Sequence, residues 1–445
     1  MAPSKVLVYG LGVSGRAVVA RLQAEGVEVV AADDDPGEHP ARVAEELGIE
    51  LERSPDARRL ARLASEVDEV VVSPGVPAAH PVMSLAEAVP LVGELEMAWR
   101  RASMPIVAVT GTNGKTTVVT LATDMLCASG LRAVSAGNIG RPLLEVVDGD
   151  AQVVVAEVSS FQLALTSRFR PAVGTWLNFS PDHLDWHPSL EDYRAAKARI
   201  WANAAAGDVC VANVEDAAVW SEIEQPRRRG AAVVGFGLDG GDYRCRNGML
   251  LGPDGELLAV SEMARPFPHE IVDALCAWAT ATAAGAKAEG AGRALRDFGG
   301  LPHRLELVGE ANGVRFFDDS KATTPAAVLA AMSGFPRAVL IAGGRNKGLD
   351  LSPLRSLAPR LRAVVAIGEA ADELAAVFDA AVELRRADSM QQAVQMAASA
   401  AEAGDAVVLS PACSSFDWYS SYAERGDDFA RWVRRLTTGG AGGGR

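Results

Sequence analysis

The chain has 445 residues, too many for one compact core, and this length predicts two or three domains. Its 43 Lys and Arg residues against 57 Asp and Glu residues give a formal net charge of −14, which disfavours a nucleic-acid-binding protein. The five cysteines form no Cys-x-x-Cys pair, so a disulfide framework or a structural zinc site is not expected and a cytoplasmic protein is favoured.

Short apolar runs alternate with helical stretches along the chain, and this alternation predicts α/β domains with mainly parallel sheets. We predict a first domain over residues 1–95, a second over 96–298 and a third over 299–436. The clearest strands are expected at Val6–Tyr9, Val27–Ala31, Val67–Val72, Ile106–Thr110, 152–157, 173–179, 208–212, 314–318, 337–342, 362–367 and 405–410, with a β-rich insert at 231–260. The Gly-rich residues 437–445 are predicted to be a disordered tail. No apolar stretch approaches the roughly 18 residues of a membrane span, so no membrane contact is expected.

The first predicted strand is followed by Gly10-Leu11-Gly12-Val13-Ser14-Gly15, which fits the pattern G-x-G-x-x-G. Asp33 and Asp34 end the next strand, about 20 residues further on, as in dinucleotide-binding folds. Backbone N–H groups at a helix N-terminus bind a diphosphate without reading the base. Three interpretations therefore stay open: NAD, another nucleotide, or glycines that merely permit a tight turn. A second turn, Ser73-Pro74-Gly75, is expected to face the same crevice.

Residues 107–120, VAVTGTNGKTTVVT, contain an incomplete phosphate-binding loop before a helix expected at roughly 115–129. Gly114-Lys115-Thr116 completes the pattern G-x-x-x-x-G-K-[ST], but Val109 replaces its first glycine. Backbone N–H groups, a lysine and a hydroxyl are the groups that bind ATP phosphates and Mg²⁺, so the loop predicts ATP binding. Its lost glycine argues against a GTPase or an ordinary kinase. Glu157 ends a nearby apolar strand and is either a magnesium ligand or an ordinary exposed glutamate.

A lysine occupies the apolar face of another predicted helix, which a capping box of Ser189 and Asp192 starts at about Leu190. At about 100° per residue, Lys197 lies among the apolar residues of this helix. They are Leu190, Tyr193, Ile200 and Trp201. The residues alone favour a lysine that snorkels to solvent; the alternative is a buried, neutral amine that acts as a base or reacts with CO₂ to give a carbamate. His183 and His187 precede this helix without the H-E-x-x-H pattern of a zinc site, and His187 is not expected to be a ligand.

Three polar segments follow predicted strands of the third domain: Asp318–Pro325, Gly343–Gly348 and Ser410–Ser415. Ligands of parallel sheets bind at the carboxyl ends of the strands, so these segments together predict a ligand site. Cys413 has no histidine at a recognisable spacing and is interpreted as structural.

These motifs resemble those of the Mur ligases of peptidoglycan synthesis, over about residues 5–435. The shared segments are TGTNGKTT (110–117), GNIG (137–140), EVSSFQL (157–163), DHLDWH (182–187), YRAAKARI (193–200), GLPHRLE (300–306), DDSKATTP (318–325) and SPACSSFDWYSSYAERGDDF (410–429). The resemblance implies a Rossmann-like N-terminal domain, a central P-loop-type ATPase domain and a C-terminal Rossmann-like α/β domain. The segments DDSKAT and SPACSSFD resemble those of the family members that join D-glutamate to UDP-N-acetylmuramoyl-L-alanine with ATP and Mg²⁺. The resemblance therefore implies that activity, with those small molecules as partners. It also implies a monomeric, cytoplasmic enzyme.

The resemblance also implies roles for individual residues. The catalytic residues would be Lys115, Glu157, His183 and Lys197. ATP would be bound by Gly111, Thr112, Asn113, Gly114, Lys115, Thr116, Thr117, Asp273, Arg304 and Asp319. Two Mg²⁺ ions would be held by Thr116, Glu157, His183 and a carbamylated Lys197. The UDP-bearing substrate would be bound by Val13, Ser14, Asp33, Ser73, Gly75, Asn138 and His183, so the first glycine motif would hold a UDP diphosphate in place of NAD. Glutamate would be bound by Thr323, Lys347, Ser415 and Tyr422.

Two departures from the family pattern stand out. Where the family often has H-N-x-x-N near the adenine, this chain has His269-Glu270-Ile271-Val272-Asp273, and a carboxylate cannot donate a hydrogen bond as an amide does. Tyr422 stands where a phenylalanine is common. Three alternatives remain: a nicotinamide-dependent dehydrogenase, which leaves the central loop unexplained; a folylpolyglutamate-type or other Mur-type amino-acid ligase, which shares the central motifs; and a binding protein without activity.

Overall fold

The structure is a computed structural model that describes residues 3–184 and 186–439. These residues group into two compact units. The first takes in the described residues up to Phe179, together with His183–Met263 and Val272–Asp297. The second takes in Ser180–Asp182, Ala264–Ile271 and the described residues from Phe298 onward. This grouping does not test the division into three domains with limits at residues 95 and 298, which remains a prediction.

The first unit begins with a five-stranded parallel sheet of strand order β3-β2-β1-β4-β5. Its elements are β1 (Lys5–Tyr9), α1 (Val13–Ala24), β2 (Glu28–Asp33), α2 (His39–Leu47), β3 (Glu50–Arg53), α3 (Ala57–Ser65), β4 (Glu69–Val72), a 3-10 helix (Pro81–Glu87) and β5 (Leu91–Val92). Strand β1 is apolar because it lies between β2 and β4 and is covered on both faces. The ends of these three strands bring the glycine motif, Asp33 and Ser73 to one edge.

A second, six-stranded parallel sheet of order β11-β10-β9-β6-β8-β7 follows in the same unit. Its elements are α4 (Glu94–Trp99), β6 (Ile106–Thr110), α5 (Lys115–Ala128), β7 (Ala133–Gly137), β8 (Val153–Glu157), α6 (Ser160–Ala164), β9 (Val173–Trp176), α7 (Leu190–Ala198), β10 (Val209–Asn213), α8 (Ala217–Trp220), α9 (Glu224–Arg228) and β11 (Ala232–Phe236). Short 3-10 helices occupy 143–145, 199–201, 221–223 and 260–262.

The segment predicted as a β-rich insert, 231–260, contains β11 of the parallel sheet and then a separate antiparallel sheet of order β12-β13-β14. Its strands are β12 (Arg244–Arg246), β13 (Met249–Gly252) and β14 (Gly255–Ala259), and two helices follow, α10 (Pro268–Ala283) and α11 (Ala288–Asp297).

The second unit contains a six-stranded sheet of order β15-β16-β20-β17-β18-β19, in which only the β15–β16 pair is antiparallel. Its elements are β15 (Glu306–Ala311), β16 (Val314–Asp318), α12 (Pro325–Met332), β17 (Ala338–Gly343), a 3-10 helix (Ser352–Arg360), β18 (Leu361–Ile367), α13 (Ala371–Phe378), β19 (Glu383–Ala387), α14 (Met390–Ala400), β20 (Ala406–Leu409) and α15 (Tyr422–Gly439). The predicted α/β architecture with mainly parallel sheets is confirmed.

Helix α15 corrects the prediction for the tail, because it continues through residues 437–439, which had been assigned to a disordered segment. Phe429 and Val433 are buried on its apolar face, and each further residue adds a backbone hydrogen bond to a helix already formed. The remaining part of the predicted tail, 440–445, lies outside the described residues. Among the helices of the described chain, none has the length and apolarity that a membrane crossing requires.

Candidate functional site

A cavity of about 550 Å³ lies at the carboxyl ends of β1, β2 and β4. It contains six of the seven residues predicted to bind the UDP-bearing substrate, and His183 is not among its lining residues in the described chain. The lining comprises Tyr9, Gly10, Gly12, Val13, Ser14, Asp33, Asp34, Ser73, Pro74, Gly75, Val76, Pro77, Gly137, Asn138, Gly140, Pro142 and Gln162. The two turns predicted to share a crevice do so, and the GNIG segment lines the same cavity.

The glycine motif is held open by its neighbours. A Cβ atom on Gly15 would lie 1.9 Å from the carbonyl oxygen of Gly10, so only glycine fits there. The Ser73 hydroxyl donates to that same carbonyl at 2.7 Å, and the Asp33 carboxylate accepts from the backbone N–H of Leu11 at 2.6 Å. Asp33 therefore orients the loop as well as lining the cavity. The N-terminus of α1, at Val13, lines the same cavity, an arrangement suited to a diphosphate.

Asp34 is held in the cavity wall by two side chains that the sequence does not single out. The Tyr9 hydroxyl donates to its carboxylate at 2.7 Å, and His80 Nε2 lies 2.8 Å from the other oxygen. His80 Nδ1 accepts from the backbone N–H of Val82, so the proton belongs on Nε2 and His80 is a donor to Asp34. Tyr9 and His80 are separated by 71 residues and approach only through the sheet, which is why sequence patterns miss them.

The central loop has the geometry of a phosphate-binding loop. Gly114 has a φ of 80°, and a Cβ atom there would lie 2.5 Å from Asp273 Oδ1, so glycine is required and Asp273 adjoins the loop. The Asn178 side-chain oxygen accepts from the backbone N–H groups of Thr112 and Asn113 at 2.9 and 3.0 Å. Lys115 Nζ lies over the loop and donates to the carbonyls of Gly111 and Thr112, both at 3.0 Å. Val109 belongs to β6, so the loop begins after the strand rather than within it.

Glu157 is buried beside this loop, at 2% exposure, and is not an ordinary surface glutamate. The register of β8 with β6 pairs it with Val109. The Thr116 hydroxyl donates to Glu157 Oε2 and the Asn138 amide donates to Oε1, both at 2.8 Å. A hydroxyl and a carboxylate oxygen thus meet at the N-terminus of α5, and this hard oxygen donor set fits Mg²⁺. Asn138 also lines the cavity, so it connects the candidate substrate and metal sites.

Lys197 is 2% exposed, and the preference for a snorkelling lysine is wrong. Its Nζ donates to the carbonyl of Gly111 at 2.7 Å and lies 4.8 Å from the centre of the Tyr193 ring. A polar partner inside the fold removes the need to reach solvent. Helix α7 begins at Leu190 as predicted, with Ser189 accepting from the backbone N–H of Asp192. In a full capping box the Asp192 side chain would accept from the backbone N–H of Ser189. Here the Asp192 carboxylate accepts from the Ser189 hydroxyl instead.

The two histidines before α7 differ in their surroundings. His183 has a φ of 56° and contacts the rings of Phe161 and Tyr193, with centroid distances of 4.8 and 6.0 Å. His183 and Lys197 therefore flank the same tyrosine ring. His187 is buried and its Nε2 is 2.9 Å from the hydroxyl of Ser160, in agreement with a structural role.

Glu94 supports the wall of the cavity from within the core. Its Oε1 accepts from the backbone N–H of Leu144 at 2.7 Å, shortly after the lining residues Gly140 and Pro142, whereas its Oε2 has no partner among the described residues. Burial raises the pKa of Glu94 from its ordinary 4.5 to about 7. Between those two values the folded chain keeps a proton that the unfolded chain releases, so stability falls as pH rises through this range.

We expect Glu94→Gln to remove that dependence, because an amide keeps the acceptor for Leu144 and carries no charge. The stability of the native protein relative to this variant should fall by roughly 3 kcal/mol between pH 4.5 and 7 and stay level above. Urea titrations of both proteins, without ligands, measure the difference. Parallel pH profiles for the two proteins would contradict the assignment of a buried, protonated Glu94.

In the second unit, the three predicted polar segments converge at the ends of the adjacent strands β16, β20 and β17. Arg345 and Ser414 exchange backbone hydrogen bonds at 3.0 Å, and the N–H of Ala412 donates to the carbonyl of Ala322. Ser415 is buried and Lys347 is half-buried in these segments. The four predicted glutamate ligands thus lie on segments of one sheet edge or, for Tyr422, on the first residue of α15. Their role with glutamate stays a prediction.

Arg425 joins these segments and was missed by sequence reasoning. Its guanidinium is 1% exposed and donates to the Ser320 hydroxyl and carbonyl at 2.9 Å. It also donates to the carbonyls of Cys413 and Ser414 at 3.1 and 3.2 Å. Burial lowers the pKa of Arg425 to about 10 and raises that of the Cys413 thiol to about 12, so Cys413 is not a nucleophile. In the sequence, this role is indicated only by the position of Arg425, four residues before the apolar Phe429 on the same face of α15.

Tyr422 and Thr323 flank the first of the segments. The Tyr422 ring lies 3.9 Å from Lys321 Nζ, measured to the ring centre, and its backbone carbonyl accepts from the Ser320 hydroxyl at 2.8 Å. The backbone N–H of Thr323 donates to the carbonyl of Lys321 at 2.9 Å.

The two ATP-contacting candidates of this unit are linked through the backbone. Asp319 accepts from the Ser410 hydroxyl at 2.7 Å and from the N–H of Leu305, the residue after Arg304, at 3.3 Å. Burial raises the pKa of Asp319 to about 7. Nearby, His303, Glu306 and Asp318 form a compact group, in which the Asp318 carboxylate binds His303 Nδ1 at 2.7 Å and raises its pKa. The hydrogen bond to His303 thus occupies the Asp318 carboxylate.

Family models of Mur ligases match three parts of the chain. The MurD-like N-terminal domain matches residues 4–124, the Mur ligase middle domain 109–263 and the Mur ligase glutamate ligase domain 303–413. A UDP-N-acetylmuramoylalanine–D-glutamate ligase of Pelotomaculum thermopropionicum is 40% identical over 98% of both chains. The chain belongs to the Mur ligase family. A protein of the same name from Frankia casuarinae is 42% identical, over 96% of this Mur ligase and 93% of the relative.

Solved Mur ligases share the fold at low sequence identity. UDP-N-acetylmuramate-alanine ligase MurC from Thermotoga maritima has a TM-score of 0.60 at 19% identity, covering 98% of this chain and 99% of that one. MurF from Thermotoga maritima in complex with ADP has a TM-score of 0.58 at 17% identity, covering 98% and 95%. In this Mur ligase, the middle-domain match contains Glu157, His183 and Lys197. The glutamate-ligase match contains the first two polar segments of the second unit and ends at residue 413, within the third.

Proposed function

We infer that this Mur ligase joins D-glutamate to the L-alanyl carboxylate of UDP-N-acetylmuramoyl-L-alanine, with cleavage of ATP to ADP and phosphate. The observation that carries the inference is the place of Asn138, which lines the cavity of about 550 Å³ and at the same time binds the buried Glu157 beside the phosphate loop. A substrate bound in that cavity would therefore place its carboxylate towards the γ-phosphate of an ATP molecule bound at the loop. The relatives named UDP-N-acetylmuramoylalanine–D-glutamate ligase, at 40 and 42% identity, support the same substrates.

The reaction requires the carboxylate to be activated. The carboxylate oxygen attacks the γ-phosphate, ADP leaves, and an acyl phosphate results. The amine of D-glutamate then attacks the carbonyl carbon, and the tetrahedral intermediate expels phosphate to leave an amide. This second step also releases a proton from the amine.

In the first step, the chain stabilises the developing negative charge and positions the reactants. A carboxylate beside a triphosphate brings negative charges together, and the Lys115 ammonium, on the loop it closes, stabilises the charge that develops on the phosphate. The backbone N–H groups at the start of α5 act in the same sense. Thr116 and Glu157 would hold Mg²⁺, which neutralises phosphate charge when bound. Holding the reactants in register converts an encounter between separate molecules into a step within one complex.

For Lys197 we propose a carbamate that, with His183, would hold a second Mg²⁺. Lys115 and Lys197 donate to the same oxygen, the carbonyl of Gly111, at 3.0 and 2.7 Å. A neutral amine reacts with CO₂ with loss of a proton, and the resulting anionic oxygens suit Mg²⁺.

In the second unit we assign glutamate binding to Thr323, Lys347, Ser415 and Tyr422, and nucleotide contacts to Arg304 and Asp319. Lys347 is the cation suited to the glutamate side-chain carboxylate, and the buried Arg425 fixes the segments around it. The reaction uses ATP, and we place it in the cytoplasm, with the chain acting as a monomer.

Phosphate release in the presence of ATP, Mg²⁺ and UDP-N-acetylmuramoyl-L-alanine tests the function, with D-glutamate, L-glutamate or no amino acid added. We expect release that depends on D-glutamate and a product whose mass exceeds the substrate's by one glutamyl residue. Release with another amino acid alone would support a different amino-acid ligase. NAD(H) binding seen by fluorescence, without amino-acid-dependent release, would support a dehydrogenase and contradict the proposal.

A further inference from the structure

The start of α10, where the sequence departs from the family pattern, carries a buried ion pair. Arg265 Nη2 lies 2.7 Å from Glu270 Oε1, and Arg265 Nε donates to the same oxygen at 2.9 Å. The two side chains are only 14% and 10% exposed. Burial raises the pKa of Glu270, and the hydrogen bond from Arg265 opposes that rise. Glu270, which stands where the family often has an amide, is therefore paired with Arg265.

Arg265 reaches from this pair to the backbone of Arg304. Its Nη2 donates to the carbonyl oxygens of Arg304 and Leu305 at 2.8 and 3.1 Å. Gly300 makes room for it, because a Cβ atom on that glycine would lie 2.8 Å from Arg265 Nε. The guanidinium thus spans one carboxylate and two consecutive carbonyls. A planar fork with several N–H groups can do this, whereas a lysine ammonium cannot bind both sides in the same way.

The backbone that Arg265 holds is strained. His303 and Leu305, on either side of Arg304, have φ values of 60° and 46°, in the left-handed region that residues other than glycine rarely adopt. Such conformations persist only where surrounding contacts fix them, and they cluster at functional sites. The backbone N–H of Lys321 donates to the His303 carbonyl, the Asp319 carboxylate accepts from the Leu305 N–H, and Arg265 donates to the carbonyl of Arg304.

We propose that Arg265, anchored by Glu270, is a positioning residue that fixes the backbone of Arg304 and so the orientation of the side chain assigned above to ATP. The inference rests on the proposed function, which assigns Arg304 to the nucleotide. Arg265 acts through Arg304 and touches no substrate in this account. Glu270 acts through Arg265, since it fixes the orientation of the guanidinium.

Steady-state kinetics of Arg265→Gln, Arg265→Lys, Glu270→Gln and the double variant Arg265→Gln/Glu270→Gln test the proposal. We expect KM for ATP to rise by about tenfold or more in every single variant, the loss typical of a hydrogen bond to a charged group. KM for D-glutamate and for the UDP-bearing substrate should stay within about twofold. The double variant should be no worse than Arg265→Gln, because the two residues form one unit.

Arg296→Gln is the matched control, because it removes an exposed ion pair with Glu262, at 48% exposure on each side, and should leave all three KM values unchanged. An unchanged KM for ATP in Arg265→Lys and Glu270→Gln, or an equal rise of all three KM values, would overturn the proposal. If Arg265→Gln does not fold, Glu270→Gln decides alone. A native protein without D-glutamate-dependent phosphate release would instead refute the proposed function.

Discussion

Lys197→Ala is expected to lower D-glutamate-dependent phosphate release by about 10³-fold or more, the size of effect seen when a preorganised electrostatic group is removed from an active site. Lys197 is buried against Tyr193 and bonded to the carbonyl of Gly111 in the phosphate loop, so alanine removes both the proposed metal ligand and a support of that loop. Rates measured with saturating ATP, Mg²⁺ and both other substrates give the comparison.

The space left by the lost side chain allows a second measurement on the same variant. Added bicarbonate or a small carboxylic acid should restore part of the activity, because either supplies oxygen atoms where the carbamate would lie. Arg194→Ala on the same helix is the control, since it removes only a half-exposed pair with Glu222. Full activity of Lys197→Ala would remove this lysine from the mechanism, and an inactive but unfolded variant would be recognised by its melting temperature.

Lys115→Ala is expected to abolish ATP-dependent phosphate release, with a loss of about 10²- to 10³-fold or more. The ammonium of Lys115 lies on the carbonyls of Gly111 and Thr112, at the centre of the loop that would bind the phosphates. Binding of ATP in the presence of Mg²⁺, followed by calorimetry, should weaken in parallel. Lys287→Ala, at an exposed position in the same unit, should behave as the native protein.

An unchanged rate in Lys115→Ala would contradict the assignment of the loop to ATP. A loss of rate with unchanged ATP affinity would place the lysine at the transition state only. In both cases the fold of the variant is compared with that of the native protein, and it should be retained because Lys115 is only partly buried.

The strand, loop and helix around residues 106–128 follow from local chemistry, and the sequence predicts them almost to the residue. An apolar strand, a loop of small residues and a helix start are each indicated by residues that are close together in the sequence. The edge strands β3 and β19 were not predicted, because ELER and ELRRA are polar and lack the apolar alternation of a half-buried strand. The two-residue β5 is too short to produce any pattern.

Site residues were predictable where a motif carries them, and their partners were not. Glu157 follows from its position at a strand end, but its bond to Asn138 depends on the neighbouring strands β7 and β8. Lys197 lies on the apolar stripe as predicted, yet only the fold shows that the Gly111 carbonyl receives it. Arg265 and Arg425 bind backbone carbonyls distant in sequence, and no spacing rule identifies such contacts.

The most direct test of the central claim follows an oxygen atom. If the L-alanyl carboxylate attacks the γ-phosphate, a substrate with both carboxylate oxygens replaced by ¹⁸O must transfer one of them to phosphate when the amine displaces the acyl phosphate. We predict one ¹⁸O atom in each phosphate released in the presence of D-glutamate, measured by mass spectrometry. Phosphate without ¹⁸O would show that the carboxylate is not activated by phosphoryl transfer and would contradict the account.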